Sequence, residues 1–312
     1  MRYVFFKKLL TLQLKTFIVI SRRSAEKKLK NIFCMITFPN CKINLGLNIV
    51  NRRSDGYHDL ETVFYPVTGL HDALEVTTAN NNKEKGYTFQ QYGNTLDCDA
   101  DKNLVVKAYL LLKKAFPSIP SIDISLLKHI PSGAGLGGGS ADAAFMLKLL
   151  DELYELHLST EQLEQLASQL GADCAFFIRN EPTFATGIGN IFSPINISLK
   201  DYQIIIVKPN VFVSTKEAFA YIYPQRPSVS IVDVIQSPIS EWRHYLVNDF
   251  EASIFPQHPE IQTIKQMLYE NGAEYASMSG SGSSVFGIFN PQDKLPQISF
   301  GADCFYYKGM LL

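Results

Sequence analysis

Past residue 35 the chain alternates between two hydrophobic periods. Lys42-Ile43-Asn44-Leu45-Gly46-Leu47-Asn48-Ile49 switches between polar and apolar at every step, the pattern of a half-buried strand. Residues 51–56, Asn-Arg-Arg-Ser-Asp-Gly, predict a turn. Residues 74–77 and 87–89 predict further strands, with the polar segment 80–86 as a hairpin tip between them. The pattern predicts a helix over 103–115 and then a strand over 122–128, with Ile122, Ile124 and Leu126 on one face. A helix over 140–156 carries Phe145, Leu149, Leu153 and Leu156 on one stripe. Ser159-Thr160-Glu161-Gln162 fits a capping box that opens a helix running to Leu170. Beyond residue 200, Tyr202 to Val207 reads as a buried strand stopped by Pro209. Helices follow around 214–221 and 260–271, and two strands flank the Ser/Gly run at 279–284. Strands and helices in this irregular order predict an α+β fold in two lobes, not a succession of βαβ units.

Charge adds a division of the chain. Residues 1–34 hold nine Lys or Arg and one acid, Glu26, leaving 20 basic and 29 acidic side chains in the remainder. A net-acidic body argues against a broad nucleic-acid footprint. In the basic segment the longest apolar stretch, Thr16 to Ile20, falls far short of the roughly 20 residues of a membrane span. Lys7, Lys8 and Lys15 interrupt it, and no small-residue cleavage site follows, which argues against a secretory signal. A membrane-surface or targeting role stays open; the reading preferred is an extension translated from a start upstream of Met35. The five cysteines, Cys34, Cys41, Cys98, Cys174 and Cys304, are widely spaced with no C-x-x-C. They read as reduced thiols of a cytoplasmic protein, not as a disulfide frame or zinc site.

The strongest chemical signal is Pro131-Ser132-Gly133-Ala134-Gly135-Leu136-Gly137-Gly138-Gly139-Ser140-Ala141-Asp142. Five glycines within seven positions let a backbone close around a ligand. The run leads from a strand into a helix N-terminus, where free amides and the helix dipole favour an anion such as a triphosphate. A P-loop is excluded because no Gly-Lys-Ser/Thr ending is present. Gly133-x-Gly135-x-x-Gly138 satisfies the dinucleotide pattern, but Glu152, at the distance of the ribose-binding acid, lies on an amphipathic helix and not at a strand end.

The glycine run resembles the phosphate loop of the GHMP kinase superfamily, which includes galactokinase, homoserine kinase and mevalonate kinase. Pro39-Asn40-Cys41-Lys42-Ile43-Asn44-Leu45 is similar to its N-terminal motif, and Ser279-Gly280-Ser281-Gly282-Ser283-Ser284 to its C-terminal glycine loop. Arg53-Ser54-Asp55-Gly56-Tyr57-His58, Leu60-Glu61-Thr62 and Leu170-Gly171-Ala172-Asp173 narrow the likeness to the branch acting on a cytidine diphosphate-linked methylerythritol, in the non-mevalonate route to isoprenoid precursors.

That resemblance implies a two-lobed fold. An N-terminal ribosomal-protein-S5-like domain that binds ATP is expected over 35–198, and a ferredoxin-like C-terminal domain over 199–312. It implies phosphoryl transfer from ATP with Mg²⁺ to an alcohol, with Asp173 as base and Lys42 as its electrostatic partner. Asn103, Lys128, Pro131, Ser132, Gly133, Ala134, Gly135, Leu136, Gly137, Gly138, Gly139 and Ser140 are expected around the nucleotide, with the Ser140 hydroxyl toward Mg²⁺. Asn44, Tyr57, His58, Thr215 and Phe219 are expected around the acceptor. Tyr57 stacks on a pyrimidine, His58 bonds its polar edge, and Phe219 closes the sandwich from the other face. Cys41, and Cys174 with Ala175, depart from the residues usual in the family, which suggests inhibition by thiol reagents. The partner expected is this small molecule, neither nucleic acid nor membrane, with the chain a monomer or weak homodimer. Two alternatives remain: a kinase of this superfamily for another small alcohol, or an inactive relative that only binds ligands.

Overall fold

The computed structural model describes residues 33–79, 85–94 and 99–312. In chain order its strands are β1 Cys34–Thr37, β2 Asn40–Arg52, β3 His58–His71, β4 Ala73–Thr78, β5 Tyr87–Gly93 and β6 Ile122–Lys128. They continue as β7 Thr183–Thr186, β8 Ile191–Pro194, β9 Gln203–Lys208, β10 Tyr275–Met278, β11 Val285–Phe289 and β12 Phe305–Met310. The α-helices of the first half are α1 Leu104–Ala115, α2 Gly138–Leu153, α3 Thr160–Ser168 and α4 Phe176–Arg179. Those of the second half are α5 Thr215–Phe219, α6 Ile231–Val234, α7 Ile239–Tyr245, α8 Phe250–Ile254 and α9 Pro259–Glu270. Three sheets form, in the orders β1-β4-β6-β5, β2-β3-β7-β8 and β10-β11-β9-β12. The expected mixture of strands and helices in two lobes is observed. Of the basic segment 1–34, residues 1–32 lie outside the described residues, as does Cys98, while Cys34 opens β1.

Local sequence explains most boundaries. Asn103 caps α1 by accepting from the Val105 amide, and Lys113 and Lys114 sit in the last turn, where they complement the helix dipole. Ser159 and Gln162 make the predicted capping box of α3. Two expectations need correction. First, α2 begins at Gly138, inside the glycine run, and ends at Leu153. Glu155 and His157 then take positive φ and turn the chain, so Leu156 packs on the core from outside the helix. Second, β4 and β5 make no hairpin. β6 lies between them, antiparallel to β4 and parallel to β5. Ile122, Ile124 and Leu126 are all buried, so β6 favours a central place, while β5, exposed in its second half, suits an edge. The expected tip falls mostly outside the described residues.

Strand β2 is the spine of the molecule, and it departs from simple alternation. Both its faces are buried from Asn40 to Ile49. The register with β3 slips between Leu45 and Leu47, where Gly46 takes φ +66°. Such a bulge sets two residues against one and shifts the face of everything beyond it. Leu47 therefore joins Lys42 and Asn44 on one side, opposite Thr62 and Phe64 of β3, while Ile43 and Leu45 point to the other. Asn48 is parted from the two polar residues with which plain alternation would have grouped it.

The apolar sides of the elements meet in three connected cores. Val76, Ile124 and Leu126 pack with Val105, Tyr109 and Leu112 of α1 and Leu147 and Leu150 of α2. Ile205, Val207 and Met278 pack with Ile261, Ile264 and Leu268 of α9. Between them, Ile43, Leu45 and Val63 share a core with Ile206, Trp242 and Phe286, so apolar packing runs continuously from one lobe into the other. No helix of the described residues is long and apolar enough to cross a membrane.

The lobes are also joined by hydrogen bonds. Leu47 donates its amide to the Val247 carbonyl at 2.8 Å, and the Asp249 amide donates to the Leu47 carbonyl at 2.8 Å. Between those two, the buried Asn248 amide group donates to the carbonyls of Met278 at 2.7 Å and Gly280 at 2.9 Å, and its oxygen accepts from the Phe250 amide at 3.0 Å. Asn248→Ala leaves these buried backbone groups unpartnered, each costing about 1–3 kcal/mol. We expect a loss of about 3 kcal/mol in urea unfolding, with Asn248→Asp failing to recover it because a carboxylate cannot donate. A loss below about 1 kcal/mol removes the Asn248 side chain as the brace that holds the 247–249 junction against the second glycine loop.

Candidate active site

The glycine run predicted as an anion cradle crosses between the lobes. Gly133, Gly135 and Gly137 take φ of +60°, +73° and +71°. At Gly135 the requirement is absolute, because a Cβ there would stand 1.9 Å from the Ser279 carbonyl oxygen of the second glycine loop. Ser279 Oγ donates to the Gly135 carbonyl at 2.9 Å, and the Ser284 amide donates to the Ala134 carbonyl at 3.2 Å. From the other side, the Lys42 amide donates to the Leu136 carbonyl at 3.0 Å. The first helical turn of α2 leaves the amides of Gly138 to Ser140 without intrahelical acceptors.

Two cavities open on this loop. One, of about 500 Å³, is lined by Asn103, Lys128, Asp142 and every residue from Pro131 to Ser140, so it gathers all the residues expected at the nucleotide. The other, of about 520 Å³, gathers Lys42, Asn44, Tyr57, His58, Asp173, Thr215 and Phe219, those expected for catalysis and the acceptor. Gly135, Gly137, Thr215 and Ser281 line both. A group reaching from one cavity to the other passes these four residues.

In the second cavity Lys42 is buried and fixed on three sides. Its Nζ stands 3.4 Å from Asp173 Oδ2, donates to Asn44 Oδ1 at 2.7 Å, and lies 4.8 Å from the centre of the Phe64 ring. Asn44 in turn donates to Thr62 Oγ1 at 3.0 Å. Asp173, in contrast, keeps a third of its side chain exposed to the cavity. Thr62 stood in the sequence only as the end of the Leu60-Glu61-Thr62 likeness, with no site role assigned; its pairing register opposite the β2 bulge brings it to Asn44.

At the far end of the cavity, His58 stacks on Phe219 with ring centres 4.6 Å apart and planes 20° from parallel. Phe219 meets Phe250 edge-on at 4.8 Å, and Tyr57 is exposed. His58 therefore occupies a face of Phe219 that the expected sandwich had left for a pyrimidine. Partial burial and the nearby Arg52 charge push the His58 imidazole below its ordinary pKa, which favours the neutral ring.

Lys128 lines the nucleotide cavity, but its ammonium is held between two buried carboxylates, Asp72 and Asp142, the latter at 2.6 Å. Asp72 also accepts from the amides of His129 and Ile130, at 2.5 and 2.9 Å. Asp142 has no such amides, and its Oδ1 has no hydrogen-bond partner among the described residues. Burial pushes the Asp142 carboxyl up to about 8, with the Asp72 charge adding to the shift and Lys128 opposing it. Asp72 and Asp142 were missed from the sequence. The signal was there in Lys128 itself, which continues the alternation of Ile122, Ile124 and Leu126 and so had to be buried and paired.

Cys41 and Cys174 are both buried, and burial is the main cause raising each thiol, Cys174 to about 11. The thiolate is the reactive species, so the expected sensitivity to thiol reagents is not supported in the folded protein. Among the described residues no cluster of three or more His, Cys, Asp or Glu side chains could hold a metal ion.

Most of the chain is similar to known proteins. Residues 103–181 match the family profile for the GHMP kinases N terminal domain, and residues 231–308 that for the GHMP kinases C terminal domain. The chain is 62% identical over 277 residues to the 4-diphosphocytidyl-2-C-methyl-D-erythritol kinase of Bacteroides thetaiotaomicron, covering 89% of this chain and all of that one. The enzyme of the same name from Porphyromonas gingivalis is 44% identical, again over 89% of this chain and the whole relative. A crystal structure of 4-(cytidine 5'-diphospho)-2C-methyl-D-erythritol kinase superposes with a TM-score of 0.71 at 31% identity, covering 81% of this chain and 90% of that one. The mevalonate kinase of Methanococcus jannaschii shares the fold, with a TM-score of 0.64 at 13% identity over 89% and 98% of the two chains.

The buried carboxylate pair gives a pH test of the protein free of nucleotide and metal. Asp142 has a folded pKa above its unfolded value, so between the two the folded state binds more protons and stability falls as pH rises through about 8. Asp142→Asn removes that dependence. We expect its unfolding free energy relative to the parent to improve by about 2 kcal/mol between pH 6 and pH 9; a difference that stays constant with pH rules out a proton on Asp142.

Proposed function

The chain belongs to the GHMP kinases and, within them, to the 4-diphosphocytidyl-2-C-methyl-D-erythritol kinase family, and from that premise we propose how its residues divide the reaction. The activity is ATP-dependent phosphorylation of the 2-hydroxyl of 4-diphosphocytidyl-2-C-methyl-D-erythritol, giving the 2-phosphate and ADP, in the non-mevalonate isoprenoid pathway. The observation that carries the division of labour is the meeting of two cavities at Gly135, Gly137, Thr215 and Ser281, with Lys42 and Asp173 on the acceptor side.

Phosphoryl transfer asks a protein chiefly for positioning and charge stabilisation. The amides of the 133–140 loop, gathered at the N-terminus of α2, bind the β- and γ-phosphates. Asn103 and Lys128 line the rest of the nucleotide cavity, and the Asp72 and Asp142 pair fixes the Lys128 ammonium. Sparse protein donors suit Mg²⁺, which keeps water and phosphate oxygens as most of its ligands; Ser140 is the contact we assign to it. When bound, Mg²⁺ supplies charge neutralisation on the phosphates.

On the acceptor side, Asp173 takes the proton of the attacking hydroxyl through its exposed carboxylate oxygen. Lys42 offsets the negative charge that passes between carboxylate and alkoxide, and Asn44 holds Lys42 in place while facing the polyol. The His58–Phe219 stack forms a wall for the cytosine ring and Tyr57 covers it. A neutral His58 accepts from the exocyclic amine. Reduced thiols and this substrate chemistry fit a cytoplasmic setting.

Two outcomes test this reading. Purified protein with Mg²⁺ and ATP should release ADP selectively with 4-diphosphocytidyl-2-C-methyl-D-erythritol, against mevalonate, homoserine and galactose. Turnover of another alcohol alone keeps the kinase and discards the acceptor; no turnover at all favours a ligand-binding relative. Asp173→Asn should lower kcat by about 10²–10⁴-fold with KM for both substrates within a few-fold of the parent. Turnover within a few-fold of the parent shows that Asp173 is not the base.

A further inference from the structure

The acceptor cavity has two Lys or Arg side chains in its lining among the described residues, Lys42 and Lys216. Lys42 is buried, paired with Asp173 and bonded to Asn44, and its charge is committed to the reacting hydroxyl. Lys216 is exposed to the cavity and takes part in no ion pair or side-chain hydrogen bond among the described residues. Its neighbour Glu217 offers it no carboxylate. One Glu217 oxygen lies 2.7 Å from His258 Nε2 and the other accepts from the Ser214 amide in the capping box of α5.

Position along α5 gives Lys216 its meaning. Thr215, one residue before it, lines both cavities and so marks the reacting end. Phe219, three residues after it, stacks on His58 and marks the end where the base is held. Those two residues are about 6 Å apart along a helix axis. An acceptor whose alcohol and base are joined by a diphosphate must lay that diphosphate along this stretch. The glycine-loop amides that serve anions face the other cavity. Asp173 is the one Asp or Glu in the acceptor cavity's lining among the described residues, and Lys42 balances it, so a diphosphate meets no competing acid there. A lysine on a flexible stem can follow the phosphates as a point charge.

We propose that Lys216 is the cationic contact for the acceptor's diphosphate, and that it selects a nucleotide-linked alcohol over a simple one. This rests on reading the second cavity as the acceptor site. The experiment is calorimetric binding of cytidine and of CDP to the full chain, with the nucleotide cavity saturated by a non-hydrolysable ATP analogue. It compares the parent, Lys216→Met and Lys216→Arg, together with KM for acceptor and for ATP. Lys216→Met should weaken CDP about tenfold, the effect of one charge-assisted contact in a partly exposed place. Cytidine binding should change less than twofold, acceptor KM should rise with ATP KM unchanged, and the salt dependence of CDP binding should flatten. Lys216→Arg should keep most of the CDP affinity. Equal losses for cytidine and CDP, no loss for CDP, or a rise in ATP KM alone each overturn the proposal. If the parent turns over the cytidyl acceptor and binds CDP while Lys216→Met matches it, only the role of Lys216 falls. If the parent binds neither ligand, the reading of the cavity falls first and takes this inference with it.

Discussion

The contact between Gly135 and Ser279 sets the geometry on which everything else in the molecule depends. The two glycine loops approach there backbone to backbone, with no room for even a methyl group. One loop leads from β6 into α2; the other joins β10 to β11. Their contact closes the two lobes on one another and brings the two cavities to a common boundary. The same loop is fixed to β2 through the Leu136 carbonyl and the Lys42 amide. The amides proposed to bind phosphate and the lysine proposed for catalysis are thus one or two hydrogen bonds from the same point. A shift of one displaces the other, and misplacement of about 1 Å can cost about 10²-fold in rate. The second loop has its own support: buried Glu251 accepts from the Met278 amide at 2.8 Å and from Ser277 Oγ at 3.1 Å, while Asn248 holds the carbonyls on either side of Ser279.

What could be read from the sequence was whatever a short segment decides for itself. The glycine run, the Ser159 cap, and the alternation of β6 all depend on neighbours within a few residues, and each is found in place. The β2 bulge was not legible, because Gly46 looks like one more polar-side position in an alternating strand until its register against β3 is known. The absence of a β4–β5 hairpin was not legible either. It depends on β6, which comes later in the chain and takes the place between them. Most of the site falls in the first group since its motifs are contiguous. The partners placed around it, Asp72, Asn248 and Lys216, come from distant segments and carry no local pattern. Lys128 is intermediate: its parity with three buried apolar residues demanded a counter-charge without saying which residue supplied it.

Two lysines beside the same loop show why counting partners locates chemistry better than residue type does. Lys128 faces two carboxylates, both almost fully buried, and one of its own hydrogen-bonded neighbours, Asp142, is held up by burial. That cluster is closed off from solvent. Its carboxylates have no open approach for an alcohol, and its role is to fix a wall of the nucleotide cavity. Lys42 faces one carboxylate, and that carboxylate keeps a third of its side chain open to the acceptor cavity. An incoming hydroxyl can reach it, and the proton it gives up has a place to go while the cation next to it stays fixed. In the proposed mechanism the reacting centre lies where the charge balance is incomplete toward a cavity, which favours Asp173 as the base and leaves Asp72 and Asp142 to structure.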